Sequence, residues 1–392
     1  MTPEPKQTPI DVRALREAEF PWAARGECVY LNNASTGPLP ARTERALAEF
    51  NARRARPYLV SDEDQLGTLR RARSLAARVI GADTDEIALM VNTSYGINLA
   101  AGALPLGAGD VIVAPDLEFP ANVYPWLARE RHGARLELVP CAGDVPDEEA
   151  LLRALERPGV RVLAVSWVSF ATGYRVDLAR LGRACRERGI YLAVDAIQGV
   201  GAAELDVHRC HVDVLACGGQ KWLLSPWGSG FAYVRRELLT RLVPQDVGWL
   251  AMRRAEEFGA LVDYDFALVD DARRFEVATL PYQAFAAFNA SVDMLLQLGL
   301  GAVAARVRAL TGRIVDWAAA LGHARVRLAL PADPARRAGI VSLRVADPSA
   351  VSQALSRAGV AHAVREGLLR LAPHVYNTED EVDRALEVLD RV

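Results

Sequence analysis

The sequence predicts a three-layer αβα domain on a mainly parallel sheet of about seven strands, followed by a smaller α+β C-terminal domain. Three observations carry this reading. Short apolar runs recur through the middle of the chain. Most are continuous rather than alternating, as expected of strands buried on both faces of a parallel sheet. Between them lie Arg/Ala/Leu/Glu stretches of helical composition, which serve as crossovers. Beyond about residue 270 the texture shifts to long apolar helical runs flanked by isolated strands.

The N-terminus, MTPEPKQTPID, is polar and Pro-rich and has no apolar stretch resembling a secretory signal. Residues 1–30 read as a segment that packs with the small domain. The runs of the large domain, residues 31–270, are Ile87–Val91, Val111–Ala114, Leu136–Val139, Val160–Val165, Ile190–Val194, Val212–Ala216 and Gly230–Val234. Asp177–Arg188 (DLARLGRACRER) is a typical crossover helix. The boundary falls within residues 265–285, so the small domain is residues 271–392. There, helical runs at Leu280–Leu298 and Val315–Leu321 precede strands at Ile340–Val345 and Leu368–Leu371, which flank a helix at Ala350–Ala358. The closing TEDEVDRALEVLDRV opens with a Thr378 cap and acids in its first turn.

Composition narrows the function classes. Hydrophobic residues make up 51% and charged residues 24%, with a net charge of −3. This is a soluble globular balance, with no basic surface for nucleic acid or anionic membrane. The five cysteines are odd in number, scattered and without a C-x-x-C pair, which fits a reducing cytoplasm. The cluster His208-Arg-Cys210-His211 lacks a second ligand pair at suitable spacing, so no metal is expected. No apolar run approaches the ~18 residues of a membrane span.

One substitution pattern points to chemistry. Of the 46 Lys+Arg residues only two are lysine, Lys6 in the tail and Lys221 in GGQKWLLSPWGSG. Arginine cannot lose its proton or attack a carbonyl, whereas a desolvated lysine amine can do both. In parallel α/β sheets ligands bind at the carboxyl ends of strands. There this chain places Asn92-Thr93-Ser94-Tyr95-Gly96 ahead of a helix, Asp195 after IYLAV, and Lys221 after VDVLA. A helix N-terminus with hydroxyls is an anion seat. An anion seat, a carboxylate and one amine suit pyridoxal 5′-phosphate, which needs a phosphate site, a carboxylate at the pyridine nitrogen and a lysine Schiff base.

From YLNNASTGPLP (Tyr30–Pro40) to RLAPHVYNT (Arg370–Thr378) the chain resembles fold-type I pyridoxal-phosphate enzymes of the class V aminotransferase family. Within that family it resembles the subgroup of cysteine-desulfurase and isopenicillin-N-epimerase-like proteins. The resemblance implies that Lys221 carries the cofactor and serves as acid–base at the substrate Cα, and that Asp195 pairs with the pyridinium nitrogen. It implies further that Gln198 meets the ring's phenolic oxygen, and that Thr93 and Ser94 hold the phosphate, with Gln220 beside the lysine. RRFEVATLP would bring Thr279 to the other subunit's phosphate in a homodimer. Arg370 would grip the substrate α-carboxylate, and Asn33 would lie in the segment folded over the substrate entrance.

Two departures limit the implied activity. Phe119, in DLEFPANVYPW, stands where desulfurases place a His over the ring, and Phe170 stands where many relatives have an Asn. Phe119 can stack on the cofactor but cannot shuttle protons. The loop AVREGLLRLAP also lacks the nucleophilic Cys of desulfurases. Transamination is the first expectation, with an epimerase or carbon–sulfur lyase behind it. A nucleotide-binding oxidoreductase lacks any G-x-G-x-x-G after a strand. A catalytically silent binding protein conflicts with the joint presence of Lys221, Asp195 and Arg370.

Overall fold

The computed structural model describes residues 9–277, 279–321 and 326–392. Lys6 and Ala278 therefore lie outside the described residues. β1 (Val29–Tyr30) stands apart from the main sheet. The main sheet contains β2 (Ile87–Met90), β3 (Val111–Pro115), β4 (Arg135–Val139), β5 (Val160–Ser166), β6 (Tyr191–Asp195), β7 (Val214–Gly218) and β8 (Gly230–Val234). Their order is β2-β8-β7-β6-β5-β3-β4. β3 to β7 run parallel, as the continuous apolar character of most of them implies. Only β8 reverses, pairing antiparallel with both β7 and β2.

Apolar residues fill both faces of this sheet. One face packs Leu163, Val194, Leu215 and Phe231 with the helices Asp62–Ile80 and Tyr282–Leu298. The other packs Val162, Ala193, Ala216 and Ala232 with the helix Thr93–Ala103. That helix comes close because residue 96 is glycine: a Cβ there would stand 2.7 Å from the Ala216 Cβ. Its N-terminus is thereby fixed at the carboxyl end of β7.

The smaller sheet is antiparallel, in the order β12-β13-β10-β9. Its strands are β9 (Val326–Leu328), β10 (Val341–Val345), β12 (Ala363–Arg365) and β13 (Leu368–Leu371), while β11 (Val360–Ala361) pairs in parallel with β1. Its core draws on Leu310, Ile314, Leu343, Leu369 and Leu386. The helix Tyr282–Leu298, placed past the boundary by its apolar texture, packs instead on the helices Ala41–Arg54 and Asp62–Ile80 of the large layer. The N-terminal helix Val12–Glu19 reaches the C-terminal part of the chain: Arg16 donates to the Tyr376 carbonyl at 2.8 Å and pairs with Glu381. Among the described residues no single helix is long and apolar enough to cross a membrane.

Candidate active site

Lys221 lies in the loop joining β7 to β8, and a set of hydrogen bonds holds that loop. Gly219 N–H donates to the Ser229 carbonyl at 2.8 Å, and Ser225 N–H to the Gly219 carbonyl at 3.0 Å. Gly37 N–H donates to the Gln220 carbonyl at 2.9 Å, and the Asn33 amide nitrogen to the Lys221 carbonyl at 3.3 Å. His374 Nε2 donates to the Trp222 carbonyl at 3.0 Å. Residue 37 must be glycine for this approach, because a Cβ would fall 2.1 Å from the Lys221 carbonyl oxygen. With its backbone pinned, the lysine's mobile part is its side chain.

Burial pushes the Lys221 amine down to about 8; the Asp195 carboxylate opposes this and Arg370 reinforces it. A neutral amine is the form that attacks a carbonyl. Asp195 closes β6 and is 3% exposed. Burial pushes its carboxyl up to about 6, against a 3.0 Å hydrogen bond from Ile197 N–H and the nearby Lys221 charge. Gln198 is equally buried: its Oε1 accepts from the Trp222 indole at 2.9 Å and its Nε2 donates to the Ala34 carbonyl at 3.1 Å. An amide nitrogen carries two donors, so one N–H remains to meet a ligand.

The residues expected to seat an anion lie at the start of the helix Thr93–Ala103, where Asn92 Oδ1 caps Tyr95 N–H at 2.9 Å. The buried Thr93 hydroxyl accepts from Gly218 N–H at 2.8 Å, tying helix to strand end. Ser94 is exposed in the first turn. Gln220 joins them, its Oε1 lying 2.4 Å from where a Cβ on Gly218 would stand. Thr93, Gln220 and Gly218 thus share one corner, beside Lys221 in sequence.

Arg370, on β13, is 2% exposed. Its Nη1 donates to the Phe170 carbonyl at 2.7 Å and its Nη2 to Ser35 Oγ at 2.8 Å. Its Nε has no partner, and no carboxylate pairs with it among the described residues. Burial and the neighbouring Arg365 charge lower it to about 10. A buried guanidinium without a counter-ion is a receptor for a carboxylate. Phe119 and Phe170 meet edge to face at 5.2 Å, and the Lys221 Nζ lies 5.8 Å from the Phe119 ring centre.

Two sequence-proposed residues sit differently from this group. Asn33 is fully buried, and its side chain engages the Lys221 carbonyl and accepts from the Tyr376 hydroxyl at 3.3 Å. Thr279 is exposed and lines a surface cavity with Phe50, Arg54 and Tyr282.

Several residues at the site had no signal of their own in the sequence. Glu118 accepts from Ser166 N–H at 2.6 Å, from the Ser166 hydroxyl, and from Asn122 Nδ2 at 3.2 Å. Burial drives its carboxyl up to about 7, against those hydrogen bonds and with help from Asp195. Ser166 pairs in register with Asp195 across β5 and β6, so Glu118 sits beside the same strand ends, one residue before Phe119. Trp222, His374 and Tyr376 form a buried stack behind the lysine, with ring centres 5.4 and 6.0 Å apart.

The sequence pattern of the Aminotransferase class-V family matches residues 29–385. The chain belongs to that family. It is a pyridoxal 5′-phosphate enzyme of the transaminase, epimerase or lyase type. The chain is 30% identical to a probable cysteine desulfurase of Methanothermobacter thermautotrophicus, over 93% of this chain and 94% of that protein. It is 32% identical to the isopenicillin N epimerase of Streptomyces clavuligerus, over 92% and 94%. Among solved structures, the apo cysteine desulfurase of Thermococcus onnurineus NA1 superposes with a TM-score of 0.84 at 24% identity, covering 96% of this chain and 97% of that one. The cystine C–S lyase C-DES, with its product cysteine persulfide, gives 0.84 at 22% identity, covering 93% and 98%. These structural likenesses show the fold.

The donor set fits the class V cofactor. A buried amine lowered to about 8, a buried carboxyl on the neighbouring strand and a capped helix start meet its three chemical demands.

Proposed function

We propose that the protein is an aminotransferase acting on an α-amino acid. The observation that carries this reading is Arg370: a buried guanidinium with no carboxylate partner, held by Phe170 and Ser35 close enough to Lys221 for the two charges to interact. In this reading Arg370 binds the substrate α-carboxylate, and Lys221 holds the cofactor and then moves the Cα proton. Thr93, Ser94 and Gln220 receive the phosphate, Asp195 the pyridine nitrogen and Gln198 the phenolic oxygen. Asn33 positions the Lys221 backbone. When bound, the cofactor serves as the electron sink that makes the Cα proton removable.

The branch follows from the acid–base inventory. Lys221 alone can take and return a proton on its own face, which suffices for transamination. Epimerisation needs delivery to the other face, and Phe119, the aromatic ring facing the lysine, has no proton to give. Persulfide chemistry is disfavoured because the segment before Arg370 has no cysteine and burial raises the Cys217 thiol far above its usual range. The epimerase among the relatives favours a second reading, in which water or another group supplies that proton. A homodimer completes the reading. Tyr58, Trp227, Tyr264 and Phe266 are exposed aromatic rings available to a second copy, which would also take up the exposed Thr279.

The test is the visible spectrum of the purified protein during addition of single amino acids. Bleaching of the yellow band to the pyridoxamine form, with release of the matching oxo acid, supports transamination. An unchanged band, with exchange of the Cα hydrogen in deuterated water, moves the assignment to the epimerase reading. A colourless protein after soaking in the cofactor contradicts both. Light scattering of the eluted protein checks the dimer.

A further inference from the structure

A second set of guanidinium groups lies outside the lysine site, around a cavity of about 180 Å³ where the segment after β5 meets the helix Leu300–Ala320 and the chain entering β10. Arg175, Arg308 and Arg337 line it, and among the described residues Glu204 is the one carboxylate in its wall. Arg337 is 7% exposed, and neither its Nε nor its Nη1 has a partner. Its neighbour Arg336, by contrast, is paired with Glu148 at 2.7 Å. Arg175 spends Nε and Nη2 on the Ala335 carbonyl at 3.1 and 2.8 Å. Asp333 uses a carboxylate oxygen to cap Ala335 N–H. Burial disfavours the charge on Arg175 and Arg337; Arg308 disfavours it further on both, while Asp316 and Asp333 favour it on Arg337 without a hydrogen bond to its buried Nε or Nη1.

A guanidinium does not shed its proton, so a buried one without partners calls for an ion. We propose that this cavity binds a small oxyanion of the phosphate or sulfate type, between the fork of Arg337 and the side chains of Arg308 and Arg175. The cavity is too small for a cofactor-sized ligand, which needs about 300–1,000 Å³. Oxyanions accept the planar arginine fork on two oxygens at once.

The position gives the site a consequence. Residues 170–175 form a strap whose first carbonyl, at Phe170, holds Arg370, and whose last residue, Arg175, lines the cavity. Its middle is fastened to the small sheet by the Ser342 hydroxyl on the Ala171 carbonyl at 2.5 Å, and its end by Arg175 N–H on the Arg336 carbonyl at 2.9 Å. An oxyanion here braces the strap that carries the carboxylate-binding arginine.

The test uses the enzyme saturated with its cofactor, so that the phosphate seat at Thr93 is filled. Inorganic phosphate is titrated at constant ionic strength, against chloride, and followed by calorimetry and by melting temperature. Saturable binding is expected, together with a rise of several degrees. Both are lost in Arg308→Gln, whose site of change is exposed, and in Arg337→Gln, and both persist in Arg370→Lys. In Arg370→Lys, where the carboxylate-binding fork is removed, acetate in place of phosphate gives no saturable effect. The proposal is overturned if no saturable heat appears, if binding survives in Arg308→Gln, if it vanishes in Arg370→Lys, or if acetate alone binds there. Should Arg337→Gln fail to fold, Arg308→Gln decides.

Discussion

The indole N–H of Trp222 donates to the side-chain oxygen of Gln198 at 2.9 Å, so the residue after the lysine sets which way that buried amide points. Its oxygen turned to Trp222, Gln198 presents nitrogen to the site. Trp222→Phe keeps an aromatic ring but leaves the amide oxygen buried without a donor, a loss of about 1–3 kcal/mol. The expected outcome is a lower melting temperature and roughly tenfold weaker uptake of pyridoxal phosphate. A titration of the cofactor-free variant that matches the unmodified protein would show that the amide orientation is immaterial.

Only the neutral Lys221 amine attacks an aldehyde, and burial brings its titration down to about 8. Attachment of pyridoxal phosphate to the cofactor-free protein should therefore accelerate as pH rises through 8, not near the ordinary lysine value. Stopped-flow absorbance between pH 6.5 and 10 measures this. Lys221→Ala removes the visible band and lowers turnover by a factor on the order of 10²–10⁴, the usual contribution of a positioned acid–base. A rate that still climbs steeply above pH 10 would contradict the buried-amine account.

How much of this was legible in the sequence depended on the range of the interaction. The strands Ile87–Met90, Val111–Pro115, Val160–Ser166 and Tyr191–Asp195 stood out because burial on both faces leaves them largely apolar. Asp195 stood out because it is polar directly after such a run, and Lys221 because it is one of only two lysines among 46 basic residues. The reversal of β8 was also encoded, though in length rather than composition: residues 219–229 leave no room for the dozen or more residues of a parallel crossover. The apolar texture of Tyr282–Leu298 reported burial but not against which layer. Trp222 and His374 gave no signal, since their contact joins residues 152 positions apart. Glu118 looked like an ordinary loop acid until folding set it on Ser166.

Arg370 offers a sharper test of substrate recognition. Its contacts to Phe170 and Ser35 are to neutral groups, so its charge awaits an anion. Arg370→Lys replaces the fork by a point charge and should raise KM for an α-amino acid by roughly 100-fold, as for loss of a charge-assisted bond of about 1.5–3 kcal/mol. Its effect on the corresponding amine, which lacks the carboxylate, should be small. Ser35→Ala removes only one orienting contact and should raise KM several-fold. Equal losses on amino acid and amine would mean that Arg370 serves the fold rather than the carboxylate.

The buried stack behind the lysine predicts a pH dependence of stability. His374 is fully buried; its Nδ1 accepts from Val375 N–H at 2.6 Å and its Nε2 donates to the Trp222 carbonyl, which requires the neutral ring. Burial lowers it to about 4, whereas the unfolded chain titrates near 6.5. Between those values the unfolded state binds the proton that the folded state refuses. Stability contributed by the neutral ring is therefore complete above about 6.5 and is lost as pH falls towards 4, by about 3 kcal/mol. Asp195 and Glu118 act in the opposite sense, because their raised values let the folded state bind more protons than the unfolded one at these pH values. The His374 contribution must then be read as a difference between proteins. His374→Gln keeps a donor for Trp222 but does not titrate. Urea unfolding at pH 4, 5, 6 and 7 should show the unmodified protein losing about 3 kcal/mol more than the variant across that range. Parallel curves for the two proteins would mean that His374 is already protonated in the fold or stays uncharged in the unfolded chain.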